Sequence, residues 1–283
     1  MGRLPKLVLS ALRIMSIQNS CASEPILGFS IATTPFTEQI DQIIQWGQQR
    51  LSRVVCVANV HMLMEAHWNP DFAQVLSQAD MLTPDGMPLV WTLNLLRKCR
   101  HDRVAGLYIM REVCQRASDT GLGVYFLGTD ASTLAGIRLR LQQEFPDLAI
   151  AGMAPLPFRQ LTAEEDRQVV EEINQSGAGV LFLALGCPKQ EIWMYQHRHK
   201  INATMVGVGG VFPVYAGIKK HAPEWVQQSG LEWLYRLVQE PGRLWRRYAT
   251  TIPPFVYLSV KQVVKTRLQR RLNRMFNRLG EQA

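Results

Sequence analysis

Val180-Leu181-Phe182-Leu183-Ala184-Leu185-Gly186-Cys187-Pro188-Lys189-Gln190-Glu191 is the stretch on which the reading of the fold turns. Its apolar residues stand in an unbroken row, without the alternation of a half-solvated strand. Such a run is a strand covered on both faces, as in parallel sheets. Gly186 ends it. Pro188 opens a helix, because its fixed φ suits a first turn and its missing N–H would have no partner there. A strand passing into a helix at a glycine is half of a βαβ unit.

The pattern recurs on both sides. Residues 26–32, 54–58, 123–127, 149–153 and 205–208 read as strands. Residues 37–50, 86–98, 132–145, 163–175 and 188–199 read as helices, and Leu134, Ile137, Leu141 and Phe145 form one stripe of the third. The predicted class is α/β: a Rossmann-like open, mainly parallel sheet with helices on both faces, over residues 24–230.

Charge divides the chain differently. The 283 residues carry a net charge of +8, with 11 Lys/Arg against 3 Asp/Glu in residues 231–283, so residues 1–230 are neutral. An apolar content of 47% with 19% charged residues excludes a disordered chain, a collagen and a small disulfide scaffold. A basic tail on a neutral body implies an anionic partner: nucleic acid, an anionic membrane face or a phosphorylated substrate. Five scattered cysteines without a CxxC pair suggest a reducing compartment and no disulfide framework. No apolar run reaches the roughly 18 residues that span a bilayer. Residues 1–23 read as a poorly ordered extension rather than a signal peptide, since Arg13 interrupts the apolar patch and no clean cleavage site follows. The expectation is a cytoplasmic protein, peripheral on the inner face of the cell membrane.

Residues 231–283 read as a basic, amphipathic, helical appendage that associates with membranes. A helix over 224–239 is expected to break at Pro241-Gly242, a short basic piece follows, and helical periodicity resumes from 255 to 279 after Pro253-Pro254. Val264, Leu268, Leu272, Met275 and Leu279 share an arc of about 80°, with five arginines in the arc beside it. Trp233, Trp245, Tyr248, Phe255 and Tyr257 would anchor at an interface. A helix packed on its own domain would carry the same stripe.

GxGxxG, Walker, GxSxG, HExxH and D-x-D motifs are all missing, so a classical dinucleotide fold and a carboxylate-clamped metal–nucleotide are disfavoured. His197 and His199 read as surface histidines. Ligands of an open parallel sheet bind beyond the carboxyl ends of its strands. Three junctions there carry polar groups: Asn59, Gly128-Thr129-Asp130, and Gly186 through Glu191, where Pro188 and Lys189 suit a phosphate. Asp80 reads as the close of a helix. Asp85, between Pro84 and Gly86, is either an N-cap or a general base at the mouth of the sheet. Arg103 would clamp a diphosphate.

The set Asn59; Ala79-Asp80 with Pro84-Asp85-Gly86; Arg103-Val104-Ala105-Gly106; Gly186-x-Pro188-Lys189-Gln190-Glu191-x-Trp193; Gly207-Val208-Gly209; Ala216-Gly217; Ala222-Pro223-x-Trp225; and Gly230-Leu231-Glu232-Trp233-Leu234-Tyr235-Arg236-Leu237-x-x-Glu240-Pro241 resembles the WecG/TagA/CpsF glycosyltransferase family. The resemblance implies an inverting transfer, without metal or other cofactor, from a UDP-sugar, often UDP-N-acetylmannosamine or its uronic acid, to an undecaprenyl-diphosphate-linked sugar on the cytoplasmic membrane face. It implies Asp85 as base and Asn59, Arg103 and Gln190 at the donor site. Without metal, the leaving diphosphate must be met by Arg103, the helix start at Pro188 and tail arginines such as Arg236, Arg243, Arg246 and Arg247. Three positions depart from the family pattern: Val57, Leu107-Tyr108, and Val211-Phe212-Pro213-Val214. They leave the donor sugar open. The resemblance does not fix the oligomeric state, so a homo-oligomer stays open. The competing reading, a nucleotide- or nucleic-acid-binding α/β protein using the basic tail, has no nucleic-acid motif behind it, and no nucleic-acid partner is expected.

Overall fold

The computed structural model describes residues 22–157 and 159–280. The expected extension therefore lies outside the described residues, apart from its last two, and Ser23 already begins a strand.

β1 (Ser23–Ile26) and β2 (Phe29–Ala32) form an antiparallel hairpin apart from the main sheet. A single strand was expected over 26–32. Leu27 and Gly28, at φ 50° and 92°, instead make the two-residue turn that matches strand twist. The chain continues through α1 (Phe36–Gln48), β3 (Arg53–Ala58), α2 (Val60–Trp68), α3 (Pro70–Ser77), β4 (Met81–Pro84), α4 (Met87–Arg97) and α5 (Gly106–Thr120). It then runs through β5 (Val124–Gly128), α6 (Ala131–Glu144), β6 (Ile150–Ala154), α7 (Ala163–Gln175), β7 (Val180–Ala184), α8 (Lys189–Gln196) and β8 (Thr204–Gly207). Four helices close it: α9 (Val211–Tyr215), α10 (Glu224–Gln228), α11 (Glu232–Gln239) and α12 (Pro241–Gly280).

The main sheet has six parallel strands in the order β4-β3-β8-β7-β5-β6. Each central strand divides its side chains between two cores. Val54, Cys56, Ala58, Leu181 and Leu183 face α2, α3, α4 and α8. Val55, Val57, Val180 and Phe182 face α1, α5, α6 and α9. This double coverage is why the strands read as continuous apolar runs. β4 lies at the sheet edge, where its terminal Pro84 is tolerated because no further strand needs an N–H. Asp80 does not close a helix. Its carboxylate accepts from Val54 N, Arg53 and Arg198, all at 2.8 Å, and so fastens the far end of β3.

Two further expectations are corrected. His197 is buried, stacked on Trp193 at 3.9 Å, and 2.9 Å from Asp166 Oδ2, so it braces α8 to α7. The C-terminal helices do break before Pro241, where α11 ends at Gln239 and Glu240 leaves helical geometry, but the expected single helix over 224–239 is itself interrupted at Gly230, φ 76°, between α10 and α11. A Cβ on Gly230 would sit 2.6 Å from Trp91, so the tight seat on α4 also demands glycine. Pro241 starts α12, which runs on through Pro253 and Pro254. Leu244, Thr251, Phe255, Ser259 and Val263 are its buried stripe, and Phe255 and Val263 belong to the core that holds β1 and α2. Gln262 clasps the hairpin, accepting from Leu27 N at 3.0 Å and donating to Pro25 O at 2.6 Å. Val264, Leu268, Leu272 and Met275, the stripe read from the sequence, are exposed.

Candidate active site

The carboxyl ends of β3, β4, β7 and β8 open into one cleft of about 1620 Å³, roofed by α11 and the first half of α12. Asn59 and Asp85 follow adjacent strands. Asn59 caps α2, its Oδ1 accepting from Met62 N at 3.1 Å. Asp85 N donates to Ala58 O at 2.9 Å, which holds the two strand ends together. Asp85 is not an N-cap: Gly86 takes that position on α4, with no side-chain cap. The Asp85 carboxylate is thus not taken up by helix capping.

Arg103 organises this end. Its Nε donates to Asp85 O at 2.6 Å, and its Nη2 lies 3.3 Å from Asp85 Oδ1 and 2.6 Å from Glu232 Oε2. Glu232 belongs to α11, so one guanidinium ties the roof to Asp85. Burial pushes the Asp85 carboxyl above its ordinary value, Arg103 pulls it back, and Glu232 pushes it up again. Sequence reading placed Glu232 within a motif without giving it a role. No local signal shows that it meets Arg103, since the ion pair exists only once α11 is folded over β4.

Gln190 is buried between two strand-end loops. Its Oε1 accepts from Gly186 N at 3.2 Å, and its Nε2 donates to Glu191 Oε1 at 2.7 Å. A Cβ on Gly209 would come within 3.2 Å of the Gln190 amide. Gly186 and Lys189 line the cleft. Pro188 is the N-cap of α8 rather than its first residue, and neither it nor Gly128 lies on the wall. Gly128 answers a packing demand at φ 104°, since a Cβ there would meet Ala184 O at 2.7 Å, while its neighbour Thr129 reaches the cleft.

Three of the four tail arginines converge. Arg236, Arg243 and Arg247 line the cleft, whereas Arg246 is exposed outside it. Residues 243 and 247 are four apart on α12, whereas residue 246 stands about 100° round the helix from 247 and turns to solvent. Arg236 reaches over the β8–α9 turn, 3.0 Å from where a Gly210 Cβ would stand. Arg243 pairs with Glu240 at 2.6 Å. Arg247 Nε is buried without a hydrogen-bond partner among the described residues. Burial, and then Arg236 and Arg243, hold the Arg247 guanidinium below its ordinary value. This surplus of cations suits a polyanion.

His61 was missed by sequence reading. It lines the cleft, and burial together with Arg247 lowers it to about 4, which leaves it neutral. The sequence departures also fall here. Val57, Leu107, Val211, Pro213 and Val214 all line the cleft. Tyr108 does not; its hydroxyl donates to Gln227 Oε1 at 3.0 Å and ties α5 to α10.

A family model described as glycosyl transferase, WecG/TagA/CpsF family, matches residues 24–269. The chain belongs to that family. It is a glycosyltransferase. A protein of Bacillus spizizenii is 33% identical over 214 residues, 75% of this chain and 80% of its own. One of Bacillus subtilis is 28% identical over 242 residues, covering 85% and 92%. One of Staphylococcus aureus is 27% identical over 250 residues, covering 86% and 94%. All three are named N-acetylglucosaminyldiphosphoundecaprenol N-acetyl-beta-D-mannosaminyltransferase. Among the described residues, no helix is long and apolar enough to cross a membrane.

Proposed function

We propose that this protein moves a hexose, of N-acetylmannosamine type or another, from a UDP-sugar to a polyprenyl-diphosphate-linked acceptor, with inversion and without metal. The observation that carries the reading is the pairing of Asp85 with the Arg236–Arg243–Arg247 cluster in one cleft. Asp85 takes the proton of the acceptor hydroxyl. The oxygen forms its bond to C1 of the donor sugar while the bond from C1 to the UDP oxygen breaks on the opposite face. One displacement inverts the configuration. The charge that develops on UDP is met by guanidinium groups already fixed in place, the arrangement that stabilises a leaving group most effectively. Arg103 holds Asp85 by its backbone and its carboxylate and keeps it aimed into the cleft.

The apolar residues Val57, Leu107, Val211, Pro213 and Val214 line the cleft, and they leave the identity of the donor and acceptor sugars open. The exposed stripe of α12 and its arginines support a peripheral place on an anionic, cytoplasmic membrane face. The product would enter a cell-surface polysaccharide.

The test is a donor screen with purified protein and a short-chain N-acetylglucosamine diphosphate lipid, run with and without EDTA. Transfer with an inverted linkage by NMR, unchanged by EDTA, supports the reading. Loss on chelation with recovery on Mg²⁺ overturns the metal-free mechanism, and no transfer from any UDP-sugar overturns the donor class.

A further inference from the structure

Two helices leave the candidate site side by side. α4 begins two residues after Asp85, and α12 carries Arg243 and Arg247 in its first turns. Their far ends are tied where Arg267 Nη2 donates to Leu95 O at 3.3 Å and Arg270 donates to Leu96 O. Between these ends the cleft continues as a groove walled by Met87, Trp91 and Leu95 of α4 and by Val256, Val260 and Val264 of α12. The α4 wall is about 12 Å long at 1.5 Å per residue.

This groove is apolar and open. Trp91 and Leu95 are each 47% exposed, and Val256, Val260 and Val264 are 49%, 55% and 59% exposed. A contiguous apolar patch of this kind marks a binding surface rather than an ordinary surface. Trp91 is held in place, since its indole packs where Gly230 has no side chain. The inner end of the groove is polar, at Asp85 and the arginines. Its outer end runs towards Leu268, Leu272 and Met275, all exposed along α12. An occupant that fits has an anionic, reactive head and a narrow apolar tail.

The geometry points to a subsite for the isoprenoid chain of the acceptor: the sugar at Asp85, the first isoprene units between α4 and α12, and the remainder leaving along the exposed stripe of α12. This rests on the lipid-diphosphate acceptor proposed above. A second copy of the chain is a poorer occupant, because filling a groove that opens into the reaction centre would shut the acceptor out. The enzyme thus recognises the chain of its acceptor directly, without a bilayer.

The experiment compares two water-soluble acceptors, N-acetylglucosamine diphosphate carrying either a farnesyl or a methyl group, with full-length protein and no detergent or vesicles. The farnesyl acceptor is expected to have a kcat/KM about tenfold higher or more. Val260→Asp is expected to bring that ratio close to one. Val264→Gln, at a more exposed position, does the same with less risk to folding. A wild-type ratio near one, or a ratio that both variants retain, overturns the subsite and leaves the transferase reading standing. Saturable binding of farnesyl diphosphate that Val260→Asp removes, with no transfer to either acceptor, supports the subsite and overturns the N-acetylglucosamine acceptor proposed above. Wild-type dimers that Val260→Asp splits, without acceptor preference, make the groove a self-interface and overturn it.

Discussion

Asp85 sits among opposing neighbours. Burial and Glu232 raise its carboxyl while Arg103 lowers it, so the base form is lost at a higher pH than for a free aspartate. Asp85→Asn should fold normally, because the side chain caps nothing, and should lose about 10²–10⁴-fold in turnover. A loss below about tenfold refutes the role. Glu232→Gln removes a carboxylate that raises Asp85 and leaves Arg103 to Asp85 alone. Both changes favour the ionised base, so the acid limb of the kcat/KM profile should move to lower pH. A limb that stays or rises would show that Glu232 does not act on Asp85. Among the arginines, Arg247→Ala should slow turnover more than about tenfold, or 1.4 kcal/mol, while Arg246→Ala stays near wild type. Equal effects would count against the clamp as drawn.

Helices and strands were legible where their pattern was long. α7 was read residue for residue, and the strand from Val180 ends at Ala184, one residue before the expected Leu185. β4 was not seen: four residues ending in proline give no periodicity, and they hold as a strand because β3 offers an edge. The hairpin was hidden because Leu27-Gly28 is not one of the usual turn pairs. α12 was split at its prolines in the sequence reading, yet it stays whole because Leu244 and Thr251 before them and Phe255 and Val263 after them are all buried. Phe255→Ala should therefore cost about 3–5 kcal/mol in urea unfolding, as for a fully buried core phenylalanine. A loss below about 1 kcal/mol would show that α12 is only loosely attached.

Across the molecule, the packing of α12 changes what a truncation reports. Ending the chain near residue 230 would strip Phe255 and Val263 from the core as well as removing charge. Ending it after Arg270 keeps the clasp at Gln262 and the ties to α4 and Glu24, and removes Arg271, Leu272, Arg274, Met275 and Arg278. That variant should remain folded and should bind anionic vesicles more weakly by about 1 kcal/mol for each cation lost, with salt reducing the difference. Vesicle binding equal to that of the whole chain would place adhesion elsewhere, on surfaces such as Trp225, Val238 and Trp245, each more than half exposed.

The α/β class, the neutral body with its basic end, the strand-end positions of Asn59 and Gln190, and the place of Asp85 just before a helix were readable because each depends on residues near one another in the chain. Periodicity, a glycine after an apolar run and a local charge excess are short-range properties. The tertiary structure alone decided which of four neighbouring arginines enters the cleft, because that depends on the phase of α12 against the body. It also decided that Glu232 shares Arg103 with Asp85, and that Gln262 meets Leu27 across a separation of 235 residues. Such contacts leave no periodic trace. They are fixed only when the apolar stripe of α12 is buried and its other faces are turned to whatever then lies beside them.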